Sequence, residues 1–528
     1  MNFGKLNGRF DYTARLVDRP QTSDLSDDYT LPDYMPAIGR VISCTAAAAS
    51  PSIYLGGGSV EYAGGVRYRL LYESADDSSL WCAELPSEYD IIINTEHLPA
   101  DPAELSCLAD AVTENVSARV TAPRRLTVKC RIRLSPSLSA KSTFETTVHG
   151  NLGDPDSIRT LEGNSESEFL ASATNIPVIC KDKIPLAEAG LSPDDEYRVI
   201  SSRGDVMISQ LSVSENGADC RGEINSSVML AKEGEGERPR RIIRKIPFSA
   251  TLPLNFPLPE NSGRAGIRGY GICPAVTATQ EDDGIALEAT CLLSAELAAR
   301  APISYLKDVY SKTSDCECSH KKLTLRTPSA CSNGNATVSG SADLASLGLD
   351  SGMRLCDISA RILPDIEKNI SPSGRLTIAG KMKISAVADN GAELIPAEYE
   401  SDYKYIAELP EAAALKSPEI SVVATVGETK GRIDADSIVA DCELCVAILI
   451  EEKNEIDTLS EVNLTPSVFT PKPESHICIC YPASGETLWD IAKKYRTEAE
   501  TIAEKNSLDP TDSPDSPDSL AKAKYLII

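Results

Sequence analysis

The chain has 528 residues, of which 42% are hydrophobic, and it carries a formal net charge of −26. This length predicts roughly three to five domains, and the apolar content is enough to form real cores. The negative charge argues against nucleic acid as a partner, because a polyphosphate requires a positive surface. It also argues against docking on anionic lipid by charge alone.

Two observations bear on export and membrane insertion. Residues 1–8 lack a basic region followed by an apolar run, so no signal peptide is predicted. The apolar run Leu444–Ile450 is far too short to span a bilayer. We therefore expect a cytoplasmic protein without a membrane span.

The first 470 residues contain three copies of one pattern at a period near 160 residues. Gly64, Gly222 and Gly380 are each separated from the next by 158 residues. Other landmarks recur in the same order, namely Arg40-Val41-Ile42, Arg198-Val199-Ile200 and Arg354-Leu355-Cys356, and the pairs Leu85-Pro86, Ile246-Pro247 and Leu409-Pro410. Copies of this size indicate a triplicated domain and not a solenoid.

Each copy reads mainly as β-structure. In Arg125–Leu134 apolar side chains take every second place, which indicates a half-buried antiparallel strand. We expect three repeated antiparallel β-sandwich-like domains, with a bend or bulge at each repeated glycine just before a core strand. The only helices predicted in this part are Ala103–Thr113 and Pro302–Tyr310.

The last residues form a different unit with the order strand, helix, helix, strand. Leu488, Ile491, Ala492 and Tyr495 share one helical face. Thr487 and Asp490 match a capping box, and Thr497 with Glu500 repeats that spacing before a second helix. The run Tyr525–Ile528 predicts the closing strand.

This unit resembles a LysM domain through Gly485–Tyr495 and through Asn506-Ser507-Leu508. The resemblance implies a small βααβ fold that binds polymers of N-acetylglucosamine, above all peptidoglycan, in a groove between two loops. The implied contact residues are Ala483, Ser484, Gly485, Glu486, Thr487, Asn506, Ser507 and Leu508. An Asp-rich insertion at residues 509–518 follows the second loop and places carboxylates beside the groove.

The run Leu31–Ile42 and the repeated landmarks resemble the SPOCS domain of spore-forming Firmicutes. Three such domains before a LysM domain is the layout of SipL-like coat morphogenesis proteins of clostridia. The resemblance implies a non-enzymatic assembly factor in the mother-cell cytoplasm, acting at the forespore surface. A spore coat morphogenetic ATPase or another coat protein is the implied partner.

The predicted domain boundaries follow from these units. Residues 1–165 hold an N-terminal arm and the first SPOCS-like domain, 166–325 the second and 326–469 the third. Residues 470–474 form a Pro-rich linker, and residues 475–528 form the LysM domain. The linker predicts a tail that moves separately from the β-domains.

No catalytic, metal or cofactor site is predicted. The chain has four histidines, and Cys316-Glu317-Cys318-Ser319-His320 departs from the spacing of zinc ligands. The sixteen cysteines are expected to be free thiols. We also expect the β-domains to form a stalk without a deep cavity lined by titratable side chains.

Two functions remain open at this stage. The first is a scaffold of spore coat assembly whose LysM tail binds either glycan or protein, with the acidic insertion favouring protein. The second is a LysM-tethered cell-wall hydrolase or a general peptidoglycan-binding protein.

Overall fold

The computed structural model describes most of the chain. The described residues are 8–95, 98, 104–150, 155–169, 172–192, 197–214, 217–232, 238–253, 263–467, 478–508, 514–516, 520 and 524–528. The predicted linker at residues 470–474 lies outside the described residues.

The first copy is a pair of antiparallel sheets. Its strands are β1 Arg9–Val17, β2 Gln21–Thr30, β3 Ile38–Ala48, β4 Ser52–Leu55, β5 Ser59–Ser74, β6 Leu80–Asn94, β7 Leu105–Ala122 and β8 Arg125–Glu145. Strand β8 pairs with β1, β2 and β7 in one sheet, and β5 pairs with β3, β4 and β6 in the other. Apolar residues of both sheets meet in one core. A short strand, β9 Thr147–Gly150, follows and pairs in parallel with a strand of the third copy.

The second and third copies repeat this pair of sheets. The second contains β10 Ile158–Phe169, β11 Ser172–Pro185, α1 Leu186–Ala189, β12 Tyr197–Ser214, β13 Gly217–Lys232, β14 Arg240–Leu252, β15 Gly263–Glu281 and β16 Gly284–Ser311. The third contains β17 Ser314–Asp343, β18 Arg354–Ile370, β19 Arg375–Asp389, β20 Leu394–Glu408, β21 Pro418–Ile433 and β22 Ser437–Pro466. In both, the last strand pairs with the first, and three strands form the second sheet. The prediction of three repeated antiparallel β-domains is confirmed.

The predicted boundaries between copies are misplaced. Strand β10 crosses the boundary at 165/166, and β17 crosses the boundary at 325/326. The second copy begins with β10 and the third with β17, because each of these strands pairs with the last strand of its own copy. The sequence landmarks begin at the third strand of the first two copies and at the second strand of the third copy, so they left the first strand of each copy unassigned.

Both helices predicted within the β-domains are wrong, because strand β7 occupies residues 105–113 and strand β16 occupies residues 302–310; residue 103 lies outside the described residues. In β16 the register shifts at Lys307, where one extra residue stands opposite β10. The bulge puts Leu306 and Val309 in the same apolar cluster although they are three residues apart. This spacing imitates a helical face, which explains the error.

The three copies close into a ring. At the start of its second sheet, each copy places an arginine against a backbone carbonyl of another copy. Arg40 of the first copy donates to Leu394 O at 2.8 Å, Arg198 of the second to Leu80 O at 3.0 Å, and Arg354 of the third to Pro239 O at 3.1 Å. Every copy therefore contacts both others, and the predicted stalk is corrected to a closed ring.

An apolar cluster lies where the copies meet. Three side chains come from each copy: Ile42, Leu71 and Leu80; Ile200, Met229 and Ala231; Cys356, Val387 and Leu394. Ile42, Ile200 and Cys356 are each the extra residue of a bulge between the first and central strands of a second sheet. The same irregularity thus recurs at the same place in all three copies.

The repeated glycines lie inside the central strands of these sheets and not before them. Each stands opposite an aromatic residue: Gly64 faces Tyr89, Gly222 faces Phe248 and Gly380 faces Tyr403. A Cβ atom at any of the three would come within 3 Å of an atom of that aromatic side chain. Each glycine makes room for an aromatic ring. The expected bend or bulge has a counterpart at two of them, because the register of the neighbouring strand shifts next to the pairs Ile208–Gly222 and Ile366–Gly380.

Replacing Gly222 by alanine should destabilise the second copy. The new Cβ would collide with Met207 O and lie 2.7 Å from the Phe248 ring. Such overpacking costs about 1–3 kcal/mol of the free energy of unfolding, which a lower urea midpoint would report. Gly57→Ala is the control, because no atom lies within 4 Å of its Cβ position. Equal midpoints for the two variants would contradict the packing argument.

Candidate functional site

The C-terminal module, defined as residues 478–528, has the predicted element order. It contains β23 Ile479–Cys480, α2 Leu488–Tyr495, α3 Ala499–Asn506 and β24 Leu526–Ile527. The capping box is present at α2: the Asp490 N–H donates to Thr487 Oγ1 at 3.1 Å, and the Thr487 N–H donates to Asp490 Oδ2 at 2.9 Å. The module has its own small core around Ile491, Ile502 and Leu526.

The second helix begins one residue later than the spacing of Thr497 and Glu500 predicts. Its N-cap is Glu498, whose side chain makes no capping bond. Glu498 instead accepts hydrogen bonds from Lys312 and Arg159 of the second copy. A tertiary ion pair therefore replaces the local cap that the sequence indicated.

The first predicted contact loop is exposed and internally braced. Ala483, Ser484 and Gly485 are exposed, whereas Glu486 and Thr487 are half-buried. The Ala483 N–H donates to Glu486 Oε2 at 2.9 Å, and the Glu486 N–H donates to Ala483 O at 3.1 Å. Gly485 has a φ of 83°, which favours glycine. The loop therefore presents an ordered backbone surface to solvent.

The second predicted contact loop is partly used by the fold. The side-chain amide of Asn506 donates to Ile502 O and to Ile527 O, both at 2.8 Å, and accepts from the Ile527 N–H at 2.7 Å. Asn506 thereby ties α3 to β24, which leaves it little capacity for a ligand. Ser507 is exposed in the left-handed conformation, and Leu508 packs on the module core.

Helix α2 docks on the outer surface of β16. Asp308 accepts from the indole N–H of Trp489 at 2.9 Å and from Lys493 at 2.6 and 2.8 Å. The bonds to Lys493 are charge-assisted, which makes them the stronger kind. Asp308 is therefore the anchor for this helix.

Aromatic packing extends the same contact. The rings of Tyr310 and Trp489 lie 4.9 Å apart in an edge-to-face arrangement, and the Tyr310 hydroxyl donates to Thr497 O at 2.5 Å. Burial raises the pKa of Tyr310 to about 12. Arg496 also pairs with Asp315. The module is thus packed against the ring, in place of the predicted separately moving tail. Sequence reasoning missed Asp308 and Tyr310 because it assigned them to a helix.

Part of the acidic insertion also contacts the ring. Pro514 O accepts from the Trp489 N–H at 2.9 Å, and Asp515 pairs with Lys307 at 2.7 Å. The carboxylate raises the pKa of Lys307. Residues 509–513 and 517–519 lie outside the described residues. In the described part, the insertion braces the module against the second copy.

A partly open cavity of about 1230 Å³ is lined by residues of all three copies. Its walls include segments of β3, β12 and β18, which follow the three bulges. Charged side chains face it, contrary to our expectation. Several of them pair across copies: Arg203 of the second copy bonds Asp357 of the third at 2.6 and 2.8 Å, and Arg15 of the first bonds Glu451 of the third at 3.2 Å.

At this cavity burial raises the pKa of Glu451 to about 7, and two aspartates have a shift in the same direction. Burial raises the pKa of Asp205 to about 6, against the opposing charges of Arg203 and Arg241. Burial likewise raises the pKa of Asp110 to about 6, although Tyr270 donates to it. The sequence contains no local signal for either shift, because it arises only when the copies meet.

The cysteine and histidine run Cys316–His320 lies along β17. Cys318 contacts Val309 O at 3.8 Å, and His320 Nε2 lies 3.0 Å from Lys307 O. Among the described residues, no group of three or more His, Cys, Asp or Glu side chains could hold a metal ion. No helix in the described part of the chain is long and apolar enough to cross a membrane.

Comparison with known families supports one part of this site. Residues 483–515 match the LysM domain, and the match includes all eight predicted contact residues. LysM domains are associated with binding of peptidoglycan or other glycans. No curated protein and no solved structure matches the chain. The SPOCS resemblance therefore stays a prediction from the sequence.

Substituting Asp308 by asparagine should loosen the docked module. The variant removes the charge that faces Lys493, and a hydrogen bond to a charged group contributes about 1.5–3 kcal/mol. Amide hydrogens of α2 should then exchange about tenfold faster or more, while those of the ring sheets keep their rates. Asp282→Asn, in the exposed turn before β16, is the control. Unchanged exchange in α2 would argue against Asp308 as the anchor.

Asp205 should make the ring less stable as pH rises from about 4 to about 6. Its pKa in the folded state is about 6, above its ordinary value of 3.8, so the folded state holds the proton through this window. The stabilisation that the folded state gains by holding this proton is complete at low pH and is lost as pH rises through about 6. Relative to the wild type, Asp205→Asn should therefore gain stability between pH 4 and pH 7.

The measurement is the urea midpoint of each protein at several pH values. Asp402→Asn, an exposed residue of β20, is the control and should follow the wild type at every pH. Parallel curves for Asp205→Asn and the wild type would show that Asp205 does not titrate in this window.

Proposed function

We propose that the chain is a non-enzymatic scaffold of spore coat assembly that binds glycan through its C-terminal LysM module. The observation that carries the proposal is the LysM match over residues 483–515, combined with an exposed, internally braced first loop. The spore coat setting, at the forespore surface in the mother-cell cytoplasm, rests on the SPOCS resemblance of the repeats.

A ring with a docked module supports a scaffold role. The LysM surface is held in a defined orientation by Asp308 and Tyr310, so a ligand captured there is held close to the ring. Preorganisation lowers the entropy cost of binding. Several chains on one polymer would add avidity through their effective concentration.

Glycan is favoured over protein as the ligand of the loops. The acidic insertion was the reason to prefer protein, since carboxylates in the groove would not suit neutral sugars. The described residues of the acidic insertion instead contact α2 and Lys307. A coat morphogenetic ATPase remains the protein partner that the SPOCS resemblance implies, and the surfaces of the ring are available to it.

The pairing of charged side chains supports a structural role for the cavity that the three copies line. Arg203 and Arg15 pair with carboxylates of another copy, and Arg326 pairs with Glu419 at 2.7 Å. The alternative is a LysM-tethered cell-wall hydrolase, for which the raised pKa values of Asp110 and Asp205 are the one favourable observation. A zymogram on peptidoglycan that clears with the wild type and not with Asp205→Asn would support the hydrolase.

Ser484→Trp tests the proposed glycan function. The indole would occupy the exposed first loop, and we expect at least tenfold less full-length protein to sediment with purified peptidoglycan. Ser373→Trp, in an exposed turn of the third copy, is the matched control and should sediment like the wild type. A parallel capture on purified coat ATPase tests the protein partner. If Ser484→Trp sediments normally, or if the wild type binds only the ATPase, glycan binding by this loop is ruled out.

A further inference from the structure

The two-stranded sheet of the module has an exposed apolar outer face. Strands β23 and β24 pair through Ile479 and Ile527, and alternation sends their neighbours Cys480 and Leu526 into the module core. The side chains that remain outside are those of Ile479, Tyr481, Tyr525 and Ile527, which are 51%, 74%, 53% and 37% exposed in that order. We call these four residues the tyrosine face.

Two aromatic rings dominate this face. The ring centroids of Tyr481 and Tyr525 are 6.5 Å apart, and the ring planes are tilted by 57°. Docking on the ring of β-domains uses Trp489 on α2 and leaves both tyrosines exposed. A contiguous exposed apolar face of this kind marks a binding surface more often than a plain exterior.

The tyrosine face is continuous with both loops of the LysM match. Tyr481 stands two residues before the first loop, which begins at Ala483. Tyr525 directly precedes β24, whose Ile527 is bonded to Asn506 of the second loop. A polymer held by the loops therefore meets the two tyrosines as it continues along the module.

The chemistry of the face fits a neutral sugar polymer. A pyranose ring has an apolar face of C–H groups that stacks on an aromatic ring, and its hydroxyl and acetamido groups bond to phenol oxygens and backbone. The spacing of the tyrosines is comparable to one sugar unit. None of the four side chains of the tyrosine face carries a charge, which suits an uncharged sugar ring.

We propose that Tyr481 and Tyr525 form a stacking subsite for consecutive sugars of an N-acetylglucosamine polymer, next to the loops. This inference rests on the proposed glycan function and deepens it. Because the loops and the tyrosines together span several sugars, long oligomers bind more tightly than short ones, and the tyrosines account for that difference.

The test is calorimetric binding of the N-acetylglucosamine hexamer and dimer to the full-length protein. Tyr481→Ala and Tyr525→Ala should each weaken hexamer binding about tenfold, which corresponds to about 1.4 kcal/mol. They should change dimer binding little. Tyr481→Phe should retain hexamer binding, because the ring remains. Tyr34→Ala is the matched control, since Tyr34 of the first copy is 75% exposed.

The outcomes separate this inference from the function on which it rests. If Ser484→Trp abolishes hexamer binding and both tyrosine variants bind like the wild type, the glycan function stands and the subsite is overturned. If the wild type binds neither oligomer nor peptidoglycan, both are overturned. If the tyrosine variants instead lose capture of the coat ATPase or self-association, the face is a protein-docking surface and the subsite is overturned.

Discussion

One repeated irregularity, a β-bulge at the start of the second sheet of each copy, is the constraint on which the ring depends. The bulge adds one residue to β3, β12 and β18, and the added residues are Ile42, Ile200 and Cys356. All three enter the apolar cluster where the copies meet. Burying one large apolar side chain contributes about 1.5–3 kcal/mol, so the seven large side chains of this cluster favour a closed ring over three separate domains.

Closure has two consequences for function. It encloses charged strands, so arginines such as Arg203 must pair with carboxylates of another copy in a medium of low dielectric constant. It also supplies a fixed base for the C-terminal module. A further bulge, at Lys307 in the second copy, shifts the alternation of side chains along β16. Directly after this bulge, Asp308 and Tyr310 contact the module. The same kind of irregularity therefore occurs where the ring closes and where the C-terminal module is anchored.

Sequence reasoning succeeded where the signal is local. The capping box at Thr487, the apolar face of α2 and the period of 158 residues are all readable from neighbouring residues or from direct repetition. It failed where a bulge broke the alternation, since Leu306 and Val309 then imitate a helical face. Helix α3 has Glu498 as its N-cap in place of the predicted Thr497, and the Glu498 carboxylate pairs with Lys312 and makes no capping bond.

The sequence alone determined three β-domains and a βααβ module, because strand alternation, helical periodicity and repetition are properties of short segments. Only the tertiary structure decided that the copies form a ring, that the module is docked, and that the rings of Tyr481 and Tyr525 lie together on the exposed side of the two-stranded sheet. These features depend on contacts between residues far apart in the chain. Such contacts leave no pattern in the sequence around either partner.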